Sequence, residues 1–404
     1  MSLHDRLLAL HGSETTEDTM PRPAPDGWQP GITWDGTKGT LTTGALDVPP
    51  DPAIWAELIA DWGLDPEITE VVPGTVQVRG WDGNMGGGET RRFKYYKATL
   101  RPKTVAGPDT VGLDELHKSI RKDKPRKNAR TGDNTLVVAL SDWQVGNRDG
   151  GGVQAQLEAI AALPDLLTDH VKHIGRRHPL GHIVLAGMGD LGENCTGFYS
   201  NQPWLTELDR REQTRVVRRG IVDVVRAVAP HAEKVTVTAV GGNHGENRQA
   251  GKQVTGPGDN DDVAVFEQVA EIIAANPDTY GHVAFRLPTD RLAVSINCSG
   301  RIVAFTHGHI PKPRPVAAET FWQWWKDQSH GRYYPGVADA EILVGGHFHH
   351  LEVRQQLGRT VFVCPSLTPV GDWWGNATGQ VTSPGTLTFL VHPEHGWHGL
   401  EVIR

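Results

Sequence analysis

The chain has little of what builds covalent or membrane-bound scaffolds. Its 404 residues include three cysteines, Cys195, Cys298 and Cys364. They are far apart, odd in number and form no Cys-x-x-Cys pair. That excludes a disulfide framework and a thiolate zinc site, and it suits a reducing compartment. Long hydrophobic runs are also missing, and no segment reaches the roughly 20 apolar residues of a membrane-spanning helix. The N-terminal MSLHDRLLALHG has only a short apolar patch, broken at His11 and Gly12, which makes a poor signal peptide. The expectation is a cytoplasmic protein with no membrane partner, in which the sequons at Asn194 and Asn376 are fortuitous. An excess of positive charge is absent as well. A net charge of -8 excludes a surface built throughout to wrap nucleic acid, though not a local basic groove.

What the chain does have is histidine, 19 residues of it, clustered towards the C-terminal half in strings such as THGH and GGHFHH. Histidine is both the commonest metal ligand and the commonest acid–base group, so these clusters mark where to look for chemistry. The length suffices for one large α/β domain and a smaller one. Residues 1–105 read as an irregular arm, with a short helix at 3–10, followed by a small α+β module. In that module a helix at 52–62 precedes extended runs at 70–79 and 91–100, separated by the loop WDGNMGGGE. Residues 106–133 read as a basic, solvated linker with seven Lys or Arg between Lys118 and Arg130. The sharper reading of that run is a strip that contacts phosphate backbone.

From residue 134 to the C-terminus the texture is that of a second domain. β-type runs at 135–140, 182–186, 234–240, 301–306 and 341–344 alternate with helices of 3.6 period, among them 207–228 and 262–275. Strands follow at 351–356, 360–363, 386–391 and 399–403. Strand–helix alternation that ends in several strands predicts an α/β sandwich rather than a barrel. The polar clusters all follow buried runs: LVVALSDWQVG, HIVLAGMGDLGEN, KVTVTAVGGNHGEN, RIVAFTHGH and EILVGGHFHH. Ligands bind at strand ends in open α/β sheets. Five strands therefore bring Asp142, Gln144, Asp190, Asn243, His244, His307, His309, His347 and His349 to one rim. A helix cap accounts for one aspartate and a tight turn for one asparagine. Neither accounts for five strand ends that all carry oxygen and nitrogen donors.

The order Asp-x-Gln, Gly-Asp, Gly-Asn-His, His, Gly-His-x-His resembles the calcineurin-like metallophosphoesterase superfamily, over residues 135–350. The usual pattern there is Asp-x-His, Gly-Asp, Gly-Asn-His-Asp/Glu, His, Gly-His-x-His. The resemblance implies a four-layer α/β/β/α sandwich preceded by the small module, and an enzyme that uses two divalent metal ions to hydrolyse phosphoric esters. Asp190 would bridge the metals. Asp142, His349 and Gln144 would complete one site, and Asn243, His307 and His347 the other. His244 would act as general acid beside Asp190 and Asn243. Mixed oxygen and nitrogen ligands suit Mn²⁺, Fe or Zn²⁺, and Gln144, which stands where the family has histidine, leans the choice to Mn²⁺. Gly245 stands where an acidic residue is usual, so either Glu246 takes its part or the acid step is weakened. Of the two histidines in THGH, His307 is taken as the ligand. Arg248, Asn194 and His309 are candidate substrate contacts, with Glu193 and His350 as further loop candidates. The run PSLTPVGDWWGNATG looks like that of tailed-phage members, which would place the protein in host cytoplasm, and a homodimer is a further expectation.

Five of the tryptophans fall in FWQWWKDQ and DWWG. Helical spacing reads as core packing, with base stacking as the functional alternative. The leading function is a DNA nuclease of the repair exonuclease kind, with nucleic acid as substrate partner. A phosphoesterase for a small nucleotide or a phosphoprotein is the second reading. A catalytically weakened binding or scaffold protein is the third, suggested by Gln144 and Gly245.

Overall fold

The computed structural model describes residues 29–404 apart from 36–37, 47–48, 67, 73, 85–89, 103–111, 126–130, 250, 289–291, 312, 370 and 372–381. The expected helix at 3–10, the end of the basic strip and the tryptophans at 373–374 lie outside the described residues. The chain divides into two compact units, Met1–Gly107 and Pro108–Arg404.

In the first unit, strands Gly31–Trp34, Gly39–Thr42, Thr90–Pro102 and Thr69–Val71 pair in that order, with Gln77–Asn84 also paired to Thr90–Pro102. The run expected at 70–79 is thus two strands, interrupted after Val71. Asp51 caps the helix Pro52–Asp61 by accepting the N–H of Ile54, and Pro52 sits at its first turn, where a missing N–H costs nothing. That helix lays Trp55 and Ile59 against Leu41, Tyr96, Ala98 and Leu100. Residues 96, 98 and 100 share one face of the strand because its side chains alternate with period two.

The second unit is built on two sheets. One runs Val283–Arg286, Lys234–Ala239, Leu180–Gly187, Asn134–Leu140, Thr386–His392, Gly396–Ile403; its first four strands are parallel. The other runs Ala293–Cys298, Arg301–Thr306, Ile342–Gly345, Arg359–Val363, Glu352–Gln356, and its three central strands are parallel. Strand alternation then divides the core. Val137, Ala139, Val184 and Ala186 face Val303, Phe305, Val344 and Phe362, which glues the sheets together. Leu136, Val138 and Leu140 turn the other way, onto helices Gly152–Gly175, Arg210–Val228 and Asp261–Ala274. On the far side of the second sheet, Ala304, Leu343 and Val361 pack under helix Ala317–Gly331.

Local chemistry sets the helix ends. Asp209 and Glu212 form a reciprocal capping box for Arg210–Val228, and Asn260 caps Asp261–Ala274. In Ala317–Gly331, Phe321 and Trp325 are buried, and Trp325 Nε1 donates to the Val337 carbonyl at 2.7 Å. This group of tryptophans is core, and loss of Trp325 to alanine is expected to cost about 3–5 kcal/mol. The expectation of a solvated linker over 106–133 is corrected at Leu113–Lys122, while 106–111 and 126–130 lie outside the described residues. Leu113–Lys122 is a helix that buries Leu116 and Ile120 in the same core as Leu136 and Leu163, because its apolar residues recur at helical spacing. Lys118, Arg121, Lys122 and Lys124 remain exposed beside it.

Candidate metal centre

The strand ends are shaped by backbone that ordinary residues avoid. Asp142, Gln144, Asp190, His347 and His349 have φ of 50, 42, 54, 72 and 58°, in the left-handed region. Each costs of order 1 kcal/mol or more, and such strain persists where the surroundings over-determine it, as at functional sites. Two glycines permit the crowding. A Cβ on Gly242 would stand 2.1 Å from Asp190 Oδ1, and one on Gly189 would stand 2.9 Å from His307 Nδ1.

Six expected ligands converge. His307 Nε2 lies 2.9 Å from Asp190 Oδ2 and 3.1 Å from Asn243 Oδ1. Asp190, His307 and His347 each place one ligand atom within 4.8 Å of the others. His349 Nε2 is 3.2 Å from Asp142 Oδ1, and the His347 N–H donates to the same carboxylate at 3.1 Å. Ser141 also donates to Asp142. For Gln144 the structure shows a half-buried side chain on a backbone whose N–H donates to the Asp190 carbonyl at 2.9 Å. Among the described residues its amide oxygen makes no hydrogen bond with another candidate.

The donor set fits divalent cations. Asp142 and Asp190 are both 1 % exposed, and two buried carboxylates on one rim need compensating charge. Burial pushes the Asp190 carboxyl up, but His307 and His244 outweigh it and hold it well below the usual range. Burial likewise raises Asp142, and His349 brings it below its ordinary value. In return, Asp190 overcomes the burial of His307 and raises that imidazole to about 9. His307 Nδ1 donates to the Met188 carbonyl at 2.7 Å, which turns Nε2 to the carboxylate. A proton there does the work that a bound cation would take over. Burial, then the charge of His307, pushes His347 down to about 3, so it is the neutral imidazole that ligation requires. Asp190, His307 and His347 form the cluster that would hold a divalent ion, with Asn243, Asp142 and His349 beside it. The oxygen and nitrogen donors suit Mn²⁺, Fe or Zn²⁺.

His244 is fixed from three sides. Its N–H donates to Asp190 Oδ1 at 2.7 Å. Its Nδ1 is 2.9 Å from the Glu193 carbonyl and 3.3 Å from Glu193 Oε2, which leaves Nε2 for proton transfer. Its ring stacks on Phe198 at 4.4 Å and 5°. Burial lowers the His244 pKa, but Asp190 and Glu193 more than restore it, and the net direction is up. The carboxylate beside His244 is therefore Glu193, which is fully buried and accepts from Tyr199 Oη at 2.6 Å. Of the two alternatives, Glu246 beside His244 or a weakened acid step, the first is not what the structure shows, because Glu246 accepts from Arg248 Nε at 2.6 Å and pairs with His309 Nε2 at 3.0 Å.

Other candidates are tied elsewhere. The amide of Asn194 donates to the His244 carbonyl at 3.0 Å, and its oxygen accepts the Cys195 N–H at 2.8 Å. Asn194 thus braces two loops. His309 is paired with Glu246, and its buried Nδ1 meets no partner among the described residues. His350 Nδ1 donates to the Phe348 carbonyl at 2.8 Å. One residue went unread in the sequence. Asp262, 3 % exposed, accepts the N–H groups of Asp190, Leu191 and Gly242 at 3.0, 2.9 and 2.9 Å. It locks the Gly-Asp and Gly-Asn-His turns to each other. Its only sequence signal is its place in the first turn of a helix, which many aspartates share.

No protein-family model matches the chain, and no curated protein matches it. Among solved structures it is similar to Vps29 of Entamoeba histolytica complexed with zinc. That match has 14 % identity, covers 63 % of this chain and 84 % of the other, and has a TM-score of 0.30. An archaeal phosphodiesterase matches at 11 % identity over 66 % of this chain and 99 % of its own, with a TM-score of 0.31. Vps29 of Chaetomium thermophilum matches at 10 % over 67 % and 97 %, with a TM-score of 0.32. Similarity at this level decides neither activity nor substrate. No helix among the described residues is long and apolar enough to cross a membrane.

Proposed function

We propose that the chain is a metal-dependent phosphodiesterase of the calcineurin-like metallophosphoesterase kind, with nucleic acid as its substrate. The observation that carries this reading is the convergence of Asp142, Asp190, Asn243, His307, His347 and His349 from five strand ends onto two buried carboxylates. The helix–sheet–sheet–helix order of the second unit supports the four-layer sandwich. Bound divalent ions would supply Lewis acidity to the phosphoryl oxygens and acidify a water molecule. The chain's own residues do the rest. Asp190 and Asp142 concentrate negative charge that selects cations. His307 and His347 present neutral nitrogen once an ion is held. His244, with Nδ1 committed to Glu193, keeps Nε2 free to hand a proton to the departing oxygen.

A scaffold without turnover is disfavoured, since strained backbone and buried carboxylates are costly to keep without a use. The test is digestion of end-labelled single- and double-stranded DNA with Mn²⁺, with EDTA and Asp190→Asn as controls. Metal-dependent products that the folded variant fails to make are expected. DNA left intact by protein that cleaves a generic aryl phosphodiester would move the substrate to a small phosphoester.

A further inference from the structure

One cation beside the site has no part in the chemistry above. Arg248 opens the short hairpin Arg248–Gln249 and Lys252–Gln253, just after the Gly-Asn-His turn. The Gly251 N–H donates to the Gly197 carbonyl at 2.9 Å, which joins this hairpin to the loop that follows Asp190. The guanidinium is held twice. Its Nε donates to Glu246 Oε2 at 2.6 Å, and that carboxylate is 1 % exposed. Its Cζ lies 4.5 Å from the centre of the Phe198 ring. The same ring stacks on His244. Two flat groups at such distances cannot share one face of a phenyl ring, so Phe198 is a spacer between imidazole and guanidinium. The second oxygen of Glu246 is paired with His309, two residues from His307, which ties the arginine's anchor to a metal-ligand loop.

A brace between loops would need only the Nε contact. Here the two terminal nitrogens of Arg248 meet no acceptor among the described residues, and 21 % of the side chain is exposed. An arginine fork with its orientation pre-set and its outer edge open is the arrangement that grips a phosphate in bidentate fashion. The Phe198 ring separates it from His244, so a phosphate held by the fork would be a different one from that beside the imidazole.

We propose that Arg248 binds the phosphate adjacent to the scissile phosphodiester of an oligonucleotide, and that Glu246 and Phe198 are its positioning residues. The inference rests on the phosphodiesterase reading above and makes the site a reader of strands rather than of lone diesters.

The test uses the full chain with Mn²⁺ and five substrates: bis(4-nitrophenyl) phosphate, a thymidine dinucleotide with one internal phosphate, the same dinucleotide with an added 5′-terminal phosphate, the same with an added 3′-terminal phosphate, and dithymidine pyrophosphate. Wild type should favour one of the two-phosphate dinucleotides over the one-phosphate form by roughly tenfold or more in kcat/KM. In Arg248→Ala that ratio should collapse towards one through KM, and Arg248→Lys should keep part of it. Glu246→Gln should lower the ratio in the wild-type background and add nothing in Arg248→Ala. A ratio near one in wild type, or one unchanged by Arg248→Ala, overturns the proposal. So does a preference for the pyrophosphate, because the second phosphate would then belong to a nucleotide and not a strand. The ratio of the Kd of each two-phosphate dinucleotide to that of the one-phosphate form, measured in EDTA, separates the two layers. If no substrate is turned over but the binding ratio still depends on Arg248, the phosphate site stands and the phosphodiesterase reading falls.

Discussion

At the starting end of the strand Leu180–Gly187, His182 is buried with its Nε2 2.8 Å from the Thr236 hydroxyl. Nearby, Thr135 and Ser299 share a hydrogen bond of 2.8 Å. At the same end of the unit, Asp123 accepts from Tyr280 Oη at 2.6 Å and from Arg226 at 2.7 Å, and Asn276 donates to the Ile120 carbonyl at 2.8 Å. Beyond the finishing end of that strand stands Asp190, with His307 and one backbone N–H as partners and a second buried carboxylate, Asp142, nearby. The base pairs these buried polar groups with neutral or opposite partners. The rim gathers carboxylates and imidazoles that compete for the same protons. Buried polarity that is satisfied locally serves stability, whereas buried carboxylates that lean on imidazoles, on strained backbone, mark a candidate functional site.

That contrast can be broken most forcefully at Asp190. Asp190→Asn is expected to abolish Mn²⁺ binding by calorimetry and to cut phosphodiesterase turnover by on the order of 10³-fold. Retained Mn²⁺ affinity in a folded variant would show that the rim is not a metal centre. Gly242→Ala should follow closely, since its Cβ would stand 2.1 Å from Asp190 Oδ1. Metal affinity should fall, and stability should drop by about 1–3 kcal/mol in a denaturant titration.

Glu193→Gln sharpens the comparison from within the rim. His244 would lose the charge beside its Nδ1, and kcat should fall roughly 10–100-fold while metal affinity stays. Equal kcat in variant and wild type would assign Glu193 to the fold alone.

At the base the effects should spare turnover. Asp123→Asn removes a charge shared by Tyr280 and Arg226 and should cost about 1–3 kcal/mol of stability, read by urea unfolding. His182 should matter only in acid. Burial, then Lys234, pushes its pKa from the ordinary 6.5 to about 4. As pH falls through 6.5 the unfolded chain takes up a proton that the folded chain refuses until about 4, so stability is lost across that window and is fully present above it. Thermal melts of His182→Gln should be flatter than wild type between pH 6.5 and 4 and should coincide in slope above it. An unchanged slope in that window would mean His182 stays solvated.

Much of the second unit could be read from local pattern. The strands that carry the site are short β-branched runs, and each is followed by its polar cluster within a few residues, so element and candidate ligand are visible together. Asp142, Asp190, Asn243, His307, His347 and His349 were legible for that reason. The helix Leu113–Lys122 was not, because a dense charge run hid the spacing of Leu116 and Ile120, and only packing onto the core reveals which residues it buries.

The sequence by itself therefore determined the order of elements, the donor types and the rim to which they go, since all of these follow from periodicity and from what ends a strand. Tertiary structure decided who serves whom. Glu193 meets a histidine 51 residues away and Asp262 a turn 72 residues away, and nothing local to either carboxylate encodes such a distance. Likewise, Gly308 at φ 112° sends His307 towards Asp190 and His309 towards Glu246, although the two histidines are of one kind and two positions apart. Contacts of that range exist only once two sheets have closed on a shared core, because it is the packing of Val137, Val184, Phe305 and Val344 that brings the strand ends into register.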